Sequence, residues 1–157
     1  MDYIIREIKE TEYHLLEDFL YEAIYVPEGM TAPPKSIIQR PELQVYIEEF
    51  GRKKDDIGLA AEVDGRIIGA VWARVMNDYG HFDDETPSLV ISLLKDCRGL
   101  GIGTALMREM LCRLKRSGYR QTSLSVQKAN YAVKMYRKTG FVTVAENEEE
   151  YTMVCRL

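Results

Sequence analysis

The chain has 157 residues, 46% hydrophobic and 29% charged, which predicts one soluble globular domain over residues 1–157 and excludes a disordered or fibrous protein. No apolar run approaches the ~20 residues of a membrane span. Residues 1–7 lack the basic start and apolar stretch of a secretory signal, and three scattered cysteines (Cys97, Cys112, Cys155) with only two histidines predict a reducing cytoplasm and no metal site.

Charge is unevenly spread. Residues 97–140 hold ten Lys/Arg against one acid, whereas residues 1–96 hold ten bases against twenty acids. An anion-binding segment beside an acidic half suited to a cationic partner is the expectation. The basic segment has no aromatic-rich RNA motif and no helix-turn-helix pattern, so nucleic acid is not an expected partner.

In chain order, residues 3–8 read as a strand. Thr11 is placed to cap a helix reaching Ile24, with Leu15, Leu16, Phe19, Leu20 and Ala23 on one face. Residues 25–34 contain three prolines and a glycine and read as a loop. A second helix is expected over residues 42–50, with Arg40-Pro41 at its start and Gly51 at its end. Residues 57–63 and 66–76 are β-rich runs joined by Asp64-Gly65, a two-residue hairpin signal. An acidic loop follows over 77–87, then an apolar run over 88–94 typical of a buried central strand.

Next come three alternate glycines in "CRGLGIGTAL", residues 97–106, and a helical pattern that Gly118 ends. A strand over 121–126 leads to a helix over 131–138, capped by Asn130 and closed by Gly140-Phe141. Two strands over 141–145 and 151–157 finish the chain, with residues 146–150 as a solvated acidic tip. The order βααβββαβαββ predicts an α/β (α+β type) fold: a mixed, mostly antiparallel sheet of about seven strands with four helices on both faces.

A glycine-rich turn between a strand and a helix offers free backbone N–H groups and the positive end of a helix dipole, which suits an anion. A Walker A loop needs lysine after its last glycine, and Gly103 is followed by Thr104-Ala105. A dinucleotide fingerprint starting at Gly99 needs glycine at 104 and an acid ~20 residues on; position 104 is threonine, and no Asp or Glu lies between Met110 and Ala145. The pyrophosphate of coenzyme A remains.

Arg98-Gly99-Leu100-Gly101-Ile102-Gly103 resembles the R/Q-x-x-G-x-G/A signature of the GNAT superfamily of acetyl-CoA-dependent N-acetyltransferases. Residues 130–141, with Asn130, Tyr136 and a closing Gly140-Phe141, resemble that superfamily's second hallmark, and the element order is similar across essentially the whole chain. The resemblance implies a GNAT-like fold and acetyl-CoA as cofactor. Its pyrophosphate is expected on Arg98, Gly99, Leu100, Gly101, Ile102, Gly103 and Thr104, with Lys128, Lys134 or Arg137 facing the 3′-phosphate. Its pantetheine arm is expected along the main chain of Ile91, Leu93 and Leu94, where a bulge would splay that strand from its neighbour, with Asn130 and Tyr136 as further contacts.

The activity implied is direct acetyl transfer to a primary amine, on a small molecule or an exposed protein amine, in a ternary complex. Tyr136 falls at the family's general-acid position, and the Leu93 backbone N–H is the expected oxyanion donor. Many relatives carry a Glu or Asp on the central strand, but residues 88–93 have none; Glu28, His81 and the acids at 83–85 are the candidates for a base, beside an ordered water. The loops at 25–34 and 77–87 are expected to frame the acceptor, with Tyr25, Glu28, Trp72, His81 and Glu85 as contacts. A non-catalytic acyl-CoA sensor is the alternative function, and a monomer or homodimer without membrane association is the expected state.

Overall fold

The computed structural model describes residues 2–157. Its elements are β1 (Ile4–Glu7), α1 (Leu16–Ala23), α2 (Pro41–Gln44), β2 (Ile57–Val63), β3 (Arg66–Arg74), β4 (Ser88–Leu93), α3 (Ile102–Arg116), β5 (Gln121–Gln127), α4 (Val133–Lys138), β6 (Val142–Glu146) and β7 (Glu150–Arg156). Short 3-10 turns occupy Glu10–Leu15, Lys35–Gln39 and Lys95–Cys97. The order of strands and α-helices is the expected βααβββαβαββ.

The seven strands form one sheet in the order β1-β2-β3-β4-β5-β7-β6, antiparallel except for the central β4–β5 pair. Strand β3 is buried along seven consecutive residues because both faces of the sheet are covered. Val71 and Ala73 face α3, whose Leu106, Met107, Met110 and Leu114 are fully buried. Ala70 and Trp72 face α1, which contributes Leu16, Phe19 and Leu20. Each helix presents one apolar stripe, and its polar residues face water. Asp64 and Gly65 both take positive φ (49° and 81°), the turn geometry that a right-twisted two-residue hairpin requires.

The central pair sets up the function. Strands β4 and β5 share a single ladder position, Ser88 with Ser123, and a cleft opens beyond it. The expected bulge in β4 is absent: its register with β3 runs unbroken from Arg74–Ser88 to Gly69–Leu93. The splay arises instead from the parallel pair diverging.

Three helix expectations need correction, one of them α4, which starts at Val133 with Ala132 at its N-cap rather than at residue 131 with an Asn130 cap. The first helical segment starts at Lys9 rather than Thr11, because the Glu12 carboxylate accepts the Lys9 N–H at 2.8 Å and also grips Arg6. The second ends after Gln44; residues 45–50 continue as turns, for reasons that lie in β3 and are taken up in the Discussion. Among the described residues, no helix is long and apolar enough to cross a membrane.

Candidate active site

Antiparallel ladders alternate hydrogen-bonded and open pairs. The Leu94 N–H donates to the Ile68 carbonyl at 2.9 Å, so the next pair, Leu93–Gly69, is an open one. By the same alternation Ile91 is open as well. The main-chain groups of Ile91 and Leu93 therefore point away from β3, into the cleft. Leu94 is turned the other way, its N–H spent on β3, which removes it from the expected cofactor contacts.

The cleft between β4 and the start of α4 has a volume of about 960 Å³. Its lining includes Ile91, Leu93, Arg98, Gly99, Gly101, Gly103 and Thr104 from the β4–α3 connection, and Asn130 and Tyr136 from the far side. From Gly99 to Thr104 no backbone N–H has an acceptor among the described residues; the first bond into the helix is Ala105 N–H to the Gly101 carbonyl. Gly101 has φ 86° and Gly99 φ 76°, a conformation that side chains rarely adopt, and an added Cβ at either would meet nothing within 4 Å. The loop is a row of free donors facing open space, which fits an anion. Leu100 is exposed and Ile102 is buried in the core, and neither side chain lines the cleft, so these two can offer only backbone.

Arg98 is held by its own neighbours: Nε donates to the Leu93 carbonyl at 3.0 Å and Nη2 lies 3.2 Å from the Glu22 carboxylate. Of the cations expected for a 3′-phosphate, Lys134 lines the cleft, as does Lys138. Lys128 and Arg137 instead approach the Tyr151 ring, and Lys128 pairs with Glu146 at 3.0 Å.

A second cavity of about 350 Å³ lies between α1, the segment around Tyr46, and β5. Both cavities are lined by Tyr25, Ile91, Asn130 and Tyr136. Tyr136 is only 8% exposed, and burial alone pushes its phenol up to about 12, with no hydrogen-bond partner contributing. The residue lines both cavities. Asn130 accepts the Ala132 N–H at 2.9 Å, closing the turn that leads into α4.

Among the polar groups of the second cavity is one acid of the 77–87 loop expected to frame the acceptor, Asp78. Asp78 accepts from the Ser88 hydroxyl at 2.8 Å and lies beside the Tyr46 phenol; its burial raises its pKa against the pull of its hydrogen-bond partners. Its loop reaches β5 through Gly80: a Cβ there would sit 2.9 Å from the Leu124 and Ser125 backbone, and the Gly80 carbonyl accepts from Ser123 Oγ at 2.7 Å. Glu150, expected in the solvated tip, accepts from Ser125 Oγ at 2.8 Å and Gln127 Nε2 at 3.1 Å and lines the cavity.

Of the expected acceptor contacts, Tyr25 is in place. Trp72 is not: it is 0% exposed, and its Nε1–H donates to the Tyr46 carbonyl at 2.9 Å, so it belongs to the core. Glu28, His81 and Glu85 lie outside both linings. His81 Nδ1 is 2.8 Å from the Met76 carbonyl, and Asp83 is spent on its own turn, accepting from Glu85 N–H and Thr86 Oγ.

Comparison with known proteins agrees with this architecture. The family model described as "Acetyltransferase (GNAT) domain" matches residues 21–154. An N-alpha-acetyltransferase of Sulfurisphaera tokodaii is 31% identical over 113 residues, covering 62% of this chain and 67% of the relative. A mycothiol acetyltransferase of Cellulomonas flavigena is 34% identical over 98 residues, 55% of this chain but only 27% of that longer protein. Among solved structures, the PaiA N-acetyltransferase of Thermoplasma acidophilum in complex with coenzyme A superposes over 100% of both chains with a TM-score of 0.73 at 19% identity. The splayed central strands, the open glycine loop and the family match over most of its length lead to one conclusion: this chain belongs to the GNAT family of acetyltransferases.

Proposed function

We propose that residues 1–157 act as a single N-acetyltransferase domain that moves the acetyl group of acetyl-CoA directly to a primary amine. The observation that carries this reading is Tyr136, a buried phenol without a protein partner that faces both the long cleft and the smaller cavity. A cleft with free donors at one end and a separate pocket behind it is what a two-substrate transfer needs.

In this reading the N–H groups from Gly99 to Thr104, with Lys134 and Lys138 nearby, hold the phosphates. The open main-chain groups of Ile91 pair with the amide-bearing arm, since the Leu93 carbonyl is held by Arg98. Bound acetyl-CoA supplies an acetyl group already activated as a thioester. The Leu93 N–H then stabilises negative charge developing on the carbonyl oxygen. Tyr136 gives its phenolic proton to the departing sulfur. The amine enters from the 350 Å³ cavity and loses its proton on that side, where Asp78 and Glu150 are the half-buried carboxylates of the lining, beside the exposed Glu42.

Calorimetric titration with acetyl-CoA, followed by thiol-release assays over a panel of amines, tests the proposal. Binding with transfer to at least one amine is the expected result. Binding without transfer to any would leave the non-catalytic sensor.

The loop makes its own prediction. In Gly101→Val, backbone strain and a side chain projecting into open space would displace the anion. Losing two charge-assisted hydrogen bonds at about 1.5–3 kcal/mol each weakens coenzyme A binding on the order of 100-fold or more. The positive φ also costs about 1–3 kcal/mol of stability with no clash added, since nothing among the described residues is within 4 Å of the added Cβ, so affinity is read on protein that is still folded. Unchanged affinity would remove the loop from the binding site.

A further inference from the structure

Asp78 and Glu150 are the two carboxylates set into the wall of the smaller cavity, and neither forms an ion pair among the described residues. Their partners are neutral: Ser88 and Tyr46 for one, Ser125 and Gln127 for the other. Arg40 and Glu42 also line the cavity; both are exposed, and neither forms an ion pair among the described residues. The lining thus carries three carboxylates against one exposed cation, and among the described residues no cation pairs with the two half-buried ones, an arrangement that is costly unless a ligand supplies the charge.

Both are held by side chains beside one stretch of β5. Ser88 Oγ, which holds Asp78, is 3.5 Å from Ser123 Oγ, and Glu150 is held by Ser125 Oγ. Ser123 and Ser125 are successive residues on one face of β5, about 7 Å apart. Extended 1,4-diaminobutane separates its nitrogens by five single bonds, on the order of 6 Å. Tyr136 provides an independent pointer to a ligand here: its side chain is more than nine-tenths buried, lacks a protein hydrogen-bond partner and lines this same cavity.

We infer that the acceptor is a short aliphatic diamine, bound with one ammonium group at Asp78 and the other nitrogen at Glu150. This rests on the amine-transfer reading of the site. A monoamine of the same length would leave one carboxylate uncompensated, and an ω-amino acid would place a like charge against it.

The test compares 1,4-diaminobutane, 1-aminobutane and 4-aminobutanoate, by calorimetry on the protein saturated with coenzyme A and by kcat/KM for thiol release from acetyl-CoA. The diamine should bind at least about tenfold tighter than 1-aminobutane, with 4-aminobutanoate weakest, and kcat/KM should follow the same order. Asp78→Asn and Glu150→Gln should each bring the diamine down towards the monoamine. The wild-type comparison decides the matter even if a variant fails to fold. Equal or tighter binding of 1-aminobutane or 4-aminobutanoate overturns the inference. Tighter diamine binding with no acetylation of any amine would instead overturn the transfer reading while leaving the cavity's selectivity standing.

Discussion

Tyr136→Phe is expected to lower turnover by about 100-fold or more, the usual scale for losing a positioned acid, while leaving acetyl-CoA affinity nearly unchanged. The ring would stay where it is. It packs at 6.0 Å, centroid to centroid, from the buried Phe141, which is held by the Gly140 turn and a backbone bond from Phe141 N–H to the Tyr136 carbonyl. Only the hydroxyl would disappear, and it has no hydrogen-bond partner among the described residues, so folding should barely register the change. That makes the split between kcat and binding a clean readout. Equal losses in both would mean that the phenol holds the ligand rather than serving the chemistry.

The same residue predicts a pH profile. An ordinary phenol titrates near 10 and would begin to lose its proton in alkaline assays. Burial pushes Tyr136 up to about 12, so its acid form persists through pH 10. The wild-type rate should therefore show no alkaline decline from this group below about pH 11, because a group with a raised pKa keeps its proton to higher pH. A decline centred near 10 that vanishes in Tyr136→Phe would show that the phenol is solvated when substrates are bound.

Much of this site was legible because its signals are local. Three alternate glycines, two of them at positive φ, the Asn130 turn and a Gly-Phe closure are written within a dozen residues each. The second half of the pocket was not legible, because its signals are distant in sequence. Asp78 looked like one more acid in a polar loop, yet Gly80 docks that loop on β5, more than forty residues away. Glu150 looked like part of a charged tip, and its partners Ser125 and Gln127 sit more than twenty residues earlier. His81 was a base candidate as the histidine of that loop, but the chain folds its ring back onto the Met76 carbonyl.

Residues 42–50 show how tertiary contacts overrule periodicity. Leu43, Tyr46, Ile47 and Phe50 have helical spacing, and a continuous helix was the natural expectation. A helix would need the carbonyls of this segment for its own i to i+4 bonds. Three of them are claimed by β3 instead: Trp72 Nε1–H donates to Tyr46, and Arg74 Nη1–H donates to both Val45 and Glu48, at 2.9, 3.1 and 2.9 Å. The segment breaks into turns, and Tyr46 is delivered beside Asp78 as a result.

That anchoring gives the largest expected effect on stability. Arg74 is 1% exposed, and its guanidinium also pairs with the Asp56 carboxylate at 3.1 Å, whose side chain is fully buried. Asp56 in turn accepts from the Gly51 N–H at 2.9 Å and from the Lys53 N–H, tying down the far end of the same segment. Arg74→Met removes one partner of a buried pair and strands a carboxylate and two carbonyls, so the loss should be about 3–5 kcal/mol. At about 2–4 °C per kcal/mol for a chain of this size, Tm falls by roughly 10 °C. In the folded fraction, the Tyr46 segment loosens at the floor of the smaller cavity, far from the glycine loop. The amine KM should therefore rise while coenzyme A affinity holds. A loss below about 1 kcal/mol would place the pair with ordinary surface ion pairs. Equal damage to both substrates would mean that Arg74 supports the sheet as a whole rather than this one wall of the acceptor cavity.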